Sequence, residues 1–241
     1  MNKTYFCVLD FEATCWEKDK GKPYEIIEFP SVLYKVTETE TNKFHLKAVG
    51  EFQKYCKPVE NPVLSEFCTK LTGIEQEQVD KAREFPYVLK EHYDWLVSET
   101  GGNTNEIIFV TCGSWDFENA FNKELGRWIQ NHKFSCSNPV LYNFMINIPS
   151  VYKTFINIKD IFKSIYGEKA GGMVSMLNYL KIKLEGRHHC GLHDCRNIGK
   201  ILEKMFCDSK DEIAKHFPIK KINYKHKDPR QMWANNPKFK K

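Results

Sequence analysis

Five residues, far apart in the chain, have side chains that could work on one another: Asp10, Glu12, Asp116, His189 and Asp194. Asp10 and Glu12 close an apolar, β-prone run, Phe6-Cys7-Val8-Leu9-Asp10-Phe11-Glu12. Side chains alternate faces along a strand, so positions i and i+2 point the same way and both carboxylates share one face of a strand end. Two anions held that close repel and need a cation; hard carboxylate oxygens suit Mg²⁺ or Mn²⁺. The same spacing also fits an exposed strand end with ordinary solvated charges. Asp116 follows the short apolar run Ile107 to Val110, and the crevice at strand ends is where open α/β sheets place their sites. Aspartate is equally a common helix N-cap, and a helix is expected from about Asp116 to Gln130. In Gly186-Arg187-His188-His189-Cys190-Gly191-Leu192-His193-Asp194, Gly191 permits a tight backbone approach before a helix. Asp194 falls in that helix's first turn, where the macrodipole favours a carboxylate. His189 stands on the loop ahead, placed to take a proton from water at neutral pH.

The elements that must position these groups can be read in order. After the first strand comes a polar loop, then a strand over Glu25 to Val36 in which Pro30 implies a bulge or an edge position. A third strand runs from Phe44 to Tyr55, with Gly50 as an irregularity, and the short connections predict an antiparallel meander. Short helices are expected over Leu64 to Leu71, ended by Gly73, and over Glu75 to Lys81, and a longer one opens at Pro86 and stops at Gly101-Gly102. Ile107 to Val110 reads as a buried strand. Residues 132–149, polar and proline-containing, read as loop. Helices are expected over Phe155 to Tyr166, Met173 to Leu180 and Leu192 to Phe206.

Composition bounds the rest. The 241 residues, 41% hydrophobic and 14% aromatic, suffice for one sizeable α/β core. No apolar run is long enough for a transmembrane helix, and the N-terminus does not read as a signal peptide. Nine scattered cysteines without a C-x-x-C pair argue against a disulfide framework and for a reducing intracellular compartment, cytoplasmic or nuclear. The net charge of +5 is uneven: residues 218–241 carry +7, and the rest of the chain −2. A basic tail is either an electrostatic footprint for a polyanion or a solvated terminus. Its Tyr224, Trp233 and Phe239, interleaved with lysines, suit single-stranded nucleic acid, although Met232 and Trp233 could instead dock on the body. His188, His189, Cys190, His193 and Cys195 crowd together, but not at the spacings of structural zinc sites, and His188 and His193 read as peripheral.

Taken in order, Asp10, Glu12, Asp116, His189 and Asp194 resemble the pattern of the DEDDh 3′→5′ exonucleases. The resemblance extends to Val8-Leu9-Asp10-Phe11-Glu12-Ala13-Thr14-Cys15, Ile26-Ile27-Glu28-Phe29-Pro30, Leu71-Thr72-Gly73-Ile74, Ser114-Trp115-Asp116 and Gly186-Arg187-x-His189, which look like the branch of enhanced-RNAi and histone-mRNA 3′-exonucleases. It implies an RNase H-like fold, a mixed five-stranded sheet flanked by helices, with residues 1–207 as the exonuclease domain and 208–241 as a basic C-terminal extension. It further implies two divalent cations, Mg²⁺ or Mn²⁺, clamping a phosphodiester. Asp10 would touch both, Glu12 and Asp194 would complete the inner shell, Asp116 would hold an ion through water, and His189 would be the general base. Ala13 is implied on the substrate side, and Leu71 and Trp115 would sandwich the terminal base, Trp115 having core packing as its alternative. The activity implied is release of nucleoside 5′-monophosphates from single-stranded RNA or 3′ overhangs, with RNA-processing proteins as further partners and no membrane. A DNA exonuclease is the alternative, because the choice rests on 2′-hydroxyl contacts. A non-catalytic nucleic-acid-binding protein on the same fold is the other.

Overall fold

The computed structural model describes residues 5–18, 21–38, 44–167, 170–209, 218–222 and 224. Its centre is β1 (Tyr5–Leu9), which pairs antiparallel with β3 (Ile26–Glu38) on one side and parallel with β5 (Ile107–Thr111) on the other. β3 continues to β4 (Phe44–Tyr55), and β5 to the parallel β6 (Thr154–Asn157). These are the five principal strands. Two short segments join the same sheet: β2 (Glu12–Ala13), which pairs with β3, and β7 (Ile219–Lys221), antiparallel to β6.

The alternation along β1 sorts the molecule into two layers. Cys7, Leu9 and Phe11 pack into one core with α3 (Phe85–Glu99) and α4 (Asn122–Ile129). Phe6 and Val8 pack into the other, with α7 (Ile158–Tyr166), α8 (Met173–Tyr179) and α9 (Gly191–Asp208). Even-numbered positions at the end of β1 therefore turn toward α9, the helix that carries Asp194. Among the described residues, no helix is long and apolar enough to cross a membrane.

Pro30 is neither at an edge nor in a bulge of the β3–β4 ladder, where it faces Gln53. On the other side, β1 pairs with β3 as far as Leu9–Ser31, and β2 resumes at Glu12–Glu28. Pro30 thus lies opposite the interruption at Asp10-Phe11, where no ladder donor is needed. The irregularity expected at Gly50 is present: Leu33 faces Gly50 and Tyr34 faces Ala48, leaving Val49 as the extra residue. Ser65 caps α1 (Glu66–Thr72) by accepting the Cys68 N–H at 3.0 Å, and Gly73 ends it with left-handed backbone. The second short helix is α2 (Gln76–Asp80).

Three expectations are corrected. Residues 132–149 are largely helical, as α5 (His132–Ser137) and α6 (Pro139–Ile146). Asn131 caps α5 by accepting the Phe134 N–H, Pro139 opens α6, and Tyr142 and Met145 are buried beneath the polar composition that reads as loop. Thr154 to Asn157 form a strand, not the start of a helix; a short apolar run cannot be told from a buried helix by periodicity, and the Asn157 side chain, accepting the Lys159 N–H, marks where α7 begins. The helix expected from about Asp116 does follow β5, as a π-helical turn, Trp115–Phe121, continued by α4, but its N-cap position is Ser114 and not Asp116.

In the tail, Tyr224 is not free to stack on bases. Its hydroxyl donates to the Tyr152 carbonyl at 2.6 Å, and its ring packs against Phe121. Met232, Trp233 and Phe239 lie outside the described residues.

Candidate active site

An open cleft of about 420 Å³ lies beyond the end of β1. Asp10, Glu12, Ala13, Leu71, Trp115, Asp116, His189 and Asp194, all eight of the residues singled out in the sequence, line it. Oxygens of Asp10, Glu12 and Asp194 lie within 4.8 Å of one another, so the shared face expected of the first two carboxylates is present and α9 brings the third. Gly191 makes that approach possible. A Cβ there would lie 2.6 Å from Pro30 Cγ and 2.9 Å from the Asp10 carbonyl oxygen, which no side chain tolerates.

Asp116 is buried in the π-helical turn, and its Oδ1 accepts the Phe11 N–H at 2.9 Å. The acid thus fastens the turn after β5 to the interruption between β1 and β2. His189 has left-handed backbone, φ 63°, a conformation costing a non-glycine residue roughly 1–2 kcal/mol. Its N–H donates to Asp194 Oδ2 at 2.8 Å, which holds the residue beside the carboxylates. Trp115 is 40% exposed on the cleft wall, with its ring tilted against Tyr24, and so is not core packing.

Three participants were not singled out as site residues by the sequence. Glu28, buried, accepts from Gln53 Nε2 at 2.7 Å and from the Gly191 N–H at 3.1 Å, and its charge bears on Glu12. Its place in Ile26-Ile27-Glu28-Phe29-Pro30 was the available signal. His188 is not peripheral: it lines the cleft, lies tilted against His189 with ring centroids 3.9 Å apart, and comes within ligand reach of His189 and Asp194. Lys159, on α7, supplies a cation on the same wall. His193 does lie outside the cleft lining, and Cys195 is buried against the Pro30 carbonyl.

The electrostatics are those of acids only partly compensated: Lys159 opposes the rise at Asp116, and His188 and His193 oppose it at Asp194. Burial, then the neighbouring charges of Asp116, Glu12, Asp194 and Glu28, hold the Asp10 carboxyl well above the usual range. Burial pushes Glu12 up to about 9, Asp116 to about 7 and Asp194 to about 6; the Phe11 N–H opposes the shift at Asp116, and the His189 N–H opposes it at Asp194. Asp194 Oδ1 is buried without a hydrogen-bond partner among the described residues. An orphaned carboxylate oxygen beside two further carboxylates fits a hard divalent cation. His189 is shifted the other way, below its ordinary value, first by burial and then by His188 and Arg187, so its ring is neutral near pH 7.

These shifts set a pH dependence. A carboxyl protonated more readily in the folded than in the unfolded chain adds stability at low pH that is lost as pH rises through its folded value. The buried His92, lowered to about 3, works in the opposite sense, but only below its ordinary 6.5. From about pH 6.5 to 9, where Cys68, lowered to about 7, offsets only part of the effect of the carboxyls, the metal-free protein is expected to melt at falling temperature as pH rises, and Mg²⁺ or Mn²⁺ is expected to remove most of that loss. Thermal melts in EDTA and in excess cation across this range check it; a slope indifferent to the cation contradicts it.

A mixed sheet with acids gathered beyond its central strand, beside a neutral imidazole in an open cleft, is the arrangement of an RNase H-like nuclease. The chain belongs to the DEDDh exonuclease family: the exonuclease (RNase T) family model matches residues 7–202. The 3′-5′ exoribonuclease 1 of Homo sapiens is 36% identical over 208 residues, covering 85% of this chain and 53% of that protein. The 3′-5′ exonuclease Snipper of Drosophila melanogaster is 31% identical over 220 residues, covering 85% of this chain and 70% of that protein. Among solved structures, the nuclease domain of 3′hExo, a DEDDh family member, bound to rAMP, superposes with a TM-score of 0.65 at 33% identity, covering 91% of this chain and 98% of that one. The chain spans about half the length of the mammalian exoribonuclease 1 relatives it matches.

Proposed function

We propose that the protein is a divalent-cation-dependent 3′→5′ exoribonuclease that removes nucleoside 5′-monophosphates one at a time from single-stranded RNA or 3′ overhangs. The observation that carries this reading is the convergence of Asp10, Glu12 and Asp194 oxygens within 4.8 Å of one another, with one Asp194 oxygen, Oδ1, left without a partner among the described residues and His189 beside them. Asp10, Glu12, Asp116 and Asp194 would hold two ions, Mg²⁺ or Mn²⁺, which supply Lewis-acid polarisation of the phosphate and neutralise its developing charge. His189, neutral near pH 7, takes the proton of the attacking water. Leu71 and the exposed Trp115, both lining the cleft, would sandwich the terminal base, and Ala13, small and buried, leaves room for the sugar. Stacking of this kind tolerates any base. The rAMP bound to the 3′hExo nuclease domain is a nucleoside monophosphate of the class expected here as product.

Purified protein with Mg²⁺ and 5′-labelled RNA should yield a ladder shortening from the 3′ end, and 3′-labelled RNA should release mononucleotide at once. Matched DNA strands and blunt duplexes in the same panel fix the sugar and strand preference. Shortening from the 5′ end, or cleavage indifferent to EDTA, contradicts the reading.

A further inference from the structure

The loop carrying His189 is fastened to a distant helix by a contact that none of the chemistry above uses. Arg187 Nη2 donates to the Lys70 carbonyl at 2.5 Å and to the Leu71 carbonyl at 3.2 Å. These belong to the last turn of α1, where carbonyls lack intrahelical partners and the helix presents its negative end. One terminal nitrogen reaches both carbonyls, and its N–H bonds are held in the rigid plane of the guanidinium, a directionality that the freely rotating ammonium of a lysine lacks. Gly73 leaves room for it: a Cβ there would fall 1.8 Å from Arg187 Nη1, and φ is 76°. Gly73 thus serves both the helix end and the passage of the guanidinium. At its other end the loop is held to α9, where the Arg187 N–H donates to His193 Nδ1 at 3.2 Å. The α1 residue whose carbonyl is gripped, Leu71, itself lines the cleft.

We propose that Arg187 is a positioning residue that locks the His189 loop to the C-terminal end of α1, fixing the proton acceptor relative to the Leu71 wall of the cleft. The role rests on the exonuclease reading for its kinetic consequence, but not for its structural one. The competing role for an exposed arginine here is a contact to RNA phosphate, and the two differ in what they change. A lock acts on the rate of the bound complex. A phosphate contact acts on binding and on its salt dependence.

Single-turnover and steady-state kinetics on 3′-hydroxyl single-stranded RNA, with amide hydrogen exchange of the metal-free, RNA-free protein, separate them. Arg187→Ala is expected to lower the single-turnover rate about tenfold, as displacement of a positioned group does, with KM changed by less than about threefold and the salt slope unchanged. Arg187→Lys should recover only part of the rate. Gly73→Ala, which drives the guanidinium off without removing its charge, should reproduce the loss, and the double variant should be no slower than the slower single one. Should Gly73→Ala fail to fold, Arg187→Gln replaces it, with a rate between those of Arg187→Ala and wild type. Exchange should rise over residues 185–190 and the last turn of α1 in Arg187→Ala. A raised KM with an intact rate, additive effects in the double variant, or unchanged exchange overturns the lock. If the wild type degrades neither RNA nor DNA, the exonuclease reading fails, while the exchange result still decides whether the lock exists.

Discussion

Replacing Asp10 with asparagine is expected to lower kcat by about a thousandfold or more while making the metal-free protein harder to melt. Both effects follow from one fact of placement. Asp10 stands at the interruption between β1 and β2, where its charge meets those of Asp116, Glu12, Asp194 and Glu28. Without a cation these acids repel, and their raised pKa values record the cost. Asparagine keeps the shape and deletes one charge, so the apo protein gains stability. With one carboxylate gone, the cation is bound weakly and the stabilisation by Mn²⁺ should shrink with it. Thermal melts in EDTA and in Mn²⁺, beside turnover on labelled RNA, check the pair. An Asp10→Asn protein as active as wild type would show the observed cleavage to be a contaminant's, and would favour a non-catalytic nucleic-acid-binding role. A variant destabilised in EDTA would show that Asp10 serves the fold.

Substitution of His189 by asparagine is expected to lower kcat by about a hundredfold to a thousandfold, the range for loss of a positioned general base, with the cation-dependent rise in melting temperature preserved. Burial and the charges of His188 and Arg187 hold His189 below its ordinary value, so the wild type should lose kcat/KM only as pH falls below about 6.5. In His189→Asn that acidic limb should vanish, and activity should climb with pH as hydroxide replaces the missing base. A variant that keeps both rate and limb assigns the proton elsewhere, and His188, with its ring centroid 3.9 Å away, is the group to test next.

The fold was legible wherever local pattern and burial agree. β1 reads as an apolar run whose alternation sends Phe6 and Val8 to one core and Cys7 and Leu9 to the other, and that alternation alone puts Asp10 and Glu12 on the α9 side. β4 matches its expected span, Phe44–Tyr55, because a turn signal precedes it and Pro58 follows. Pattern failed where tertiary packing overrides composition. α5 and α6 carry asparagines, serines and a proline that read as loop, yet Asn131 caps the first helix, Pro139 opens the second, and their buried faces are Phe134, Tyr142 and Met145. Phe155-Ile156 is too short for periodicity to separate strand from helix.

The site divides similarly. Of the eight cleft residues, the four acids and His189 stand out by type at strand and helix ends, whereas Ala13, Leu71 and Trp115 were reached only through the family resemblance. Glu28 did not, because a glutamate within a strand reads as solvent-facing until Gln53 and the Gly191 N–H are seen to enclose it. Arg187 entered only as part of Gly186-Arg187-x-His189, and its role was not legible, because its partners are backbone carbonyls of Lys70 and Leu71, more than a hundred residues earlier, and carbonyls leave no mark in a sequence.

The proposed activity depends on the acids beyond β1 acting as one cation centre that serves His189. A crystal grown with Mn²⁺ and adenosine 5′-monophosphate, measured for anomalous scattering from manganese, tests it most directly. Manganese bound by Asp10, Glu12 and Asp194, with the phosphate against it and the His189 ring facing the phosphorus, is the predicted result. Manganese absent from these oxygens, or held by His188 and His189 with Asp10 and Glu12 left unbound, would contradict it.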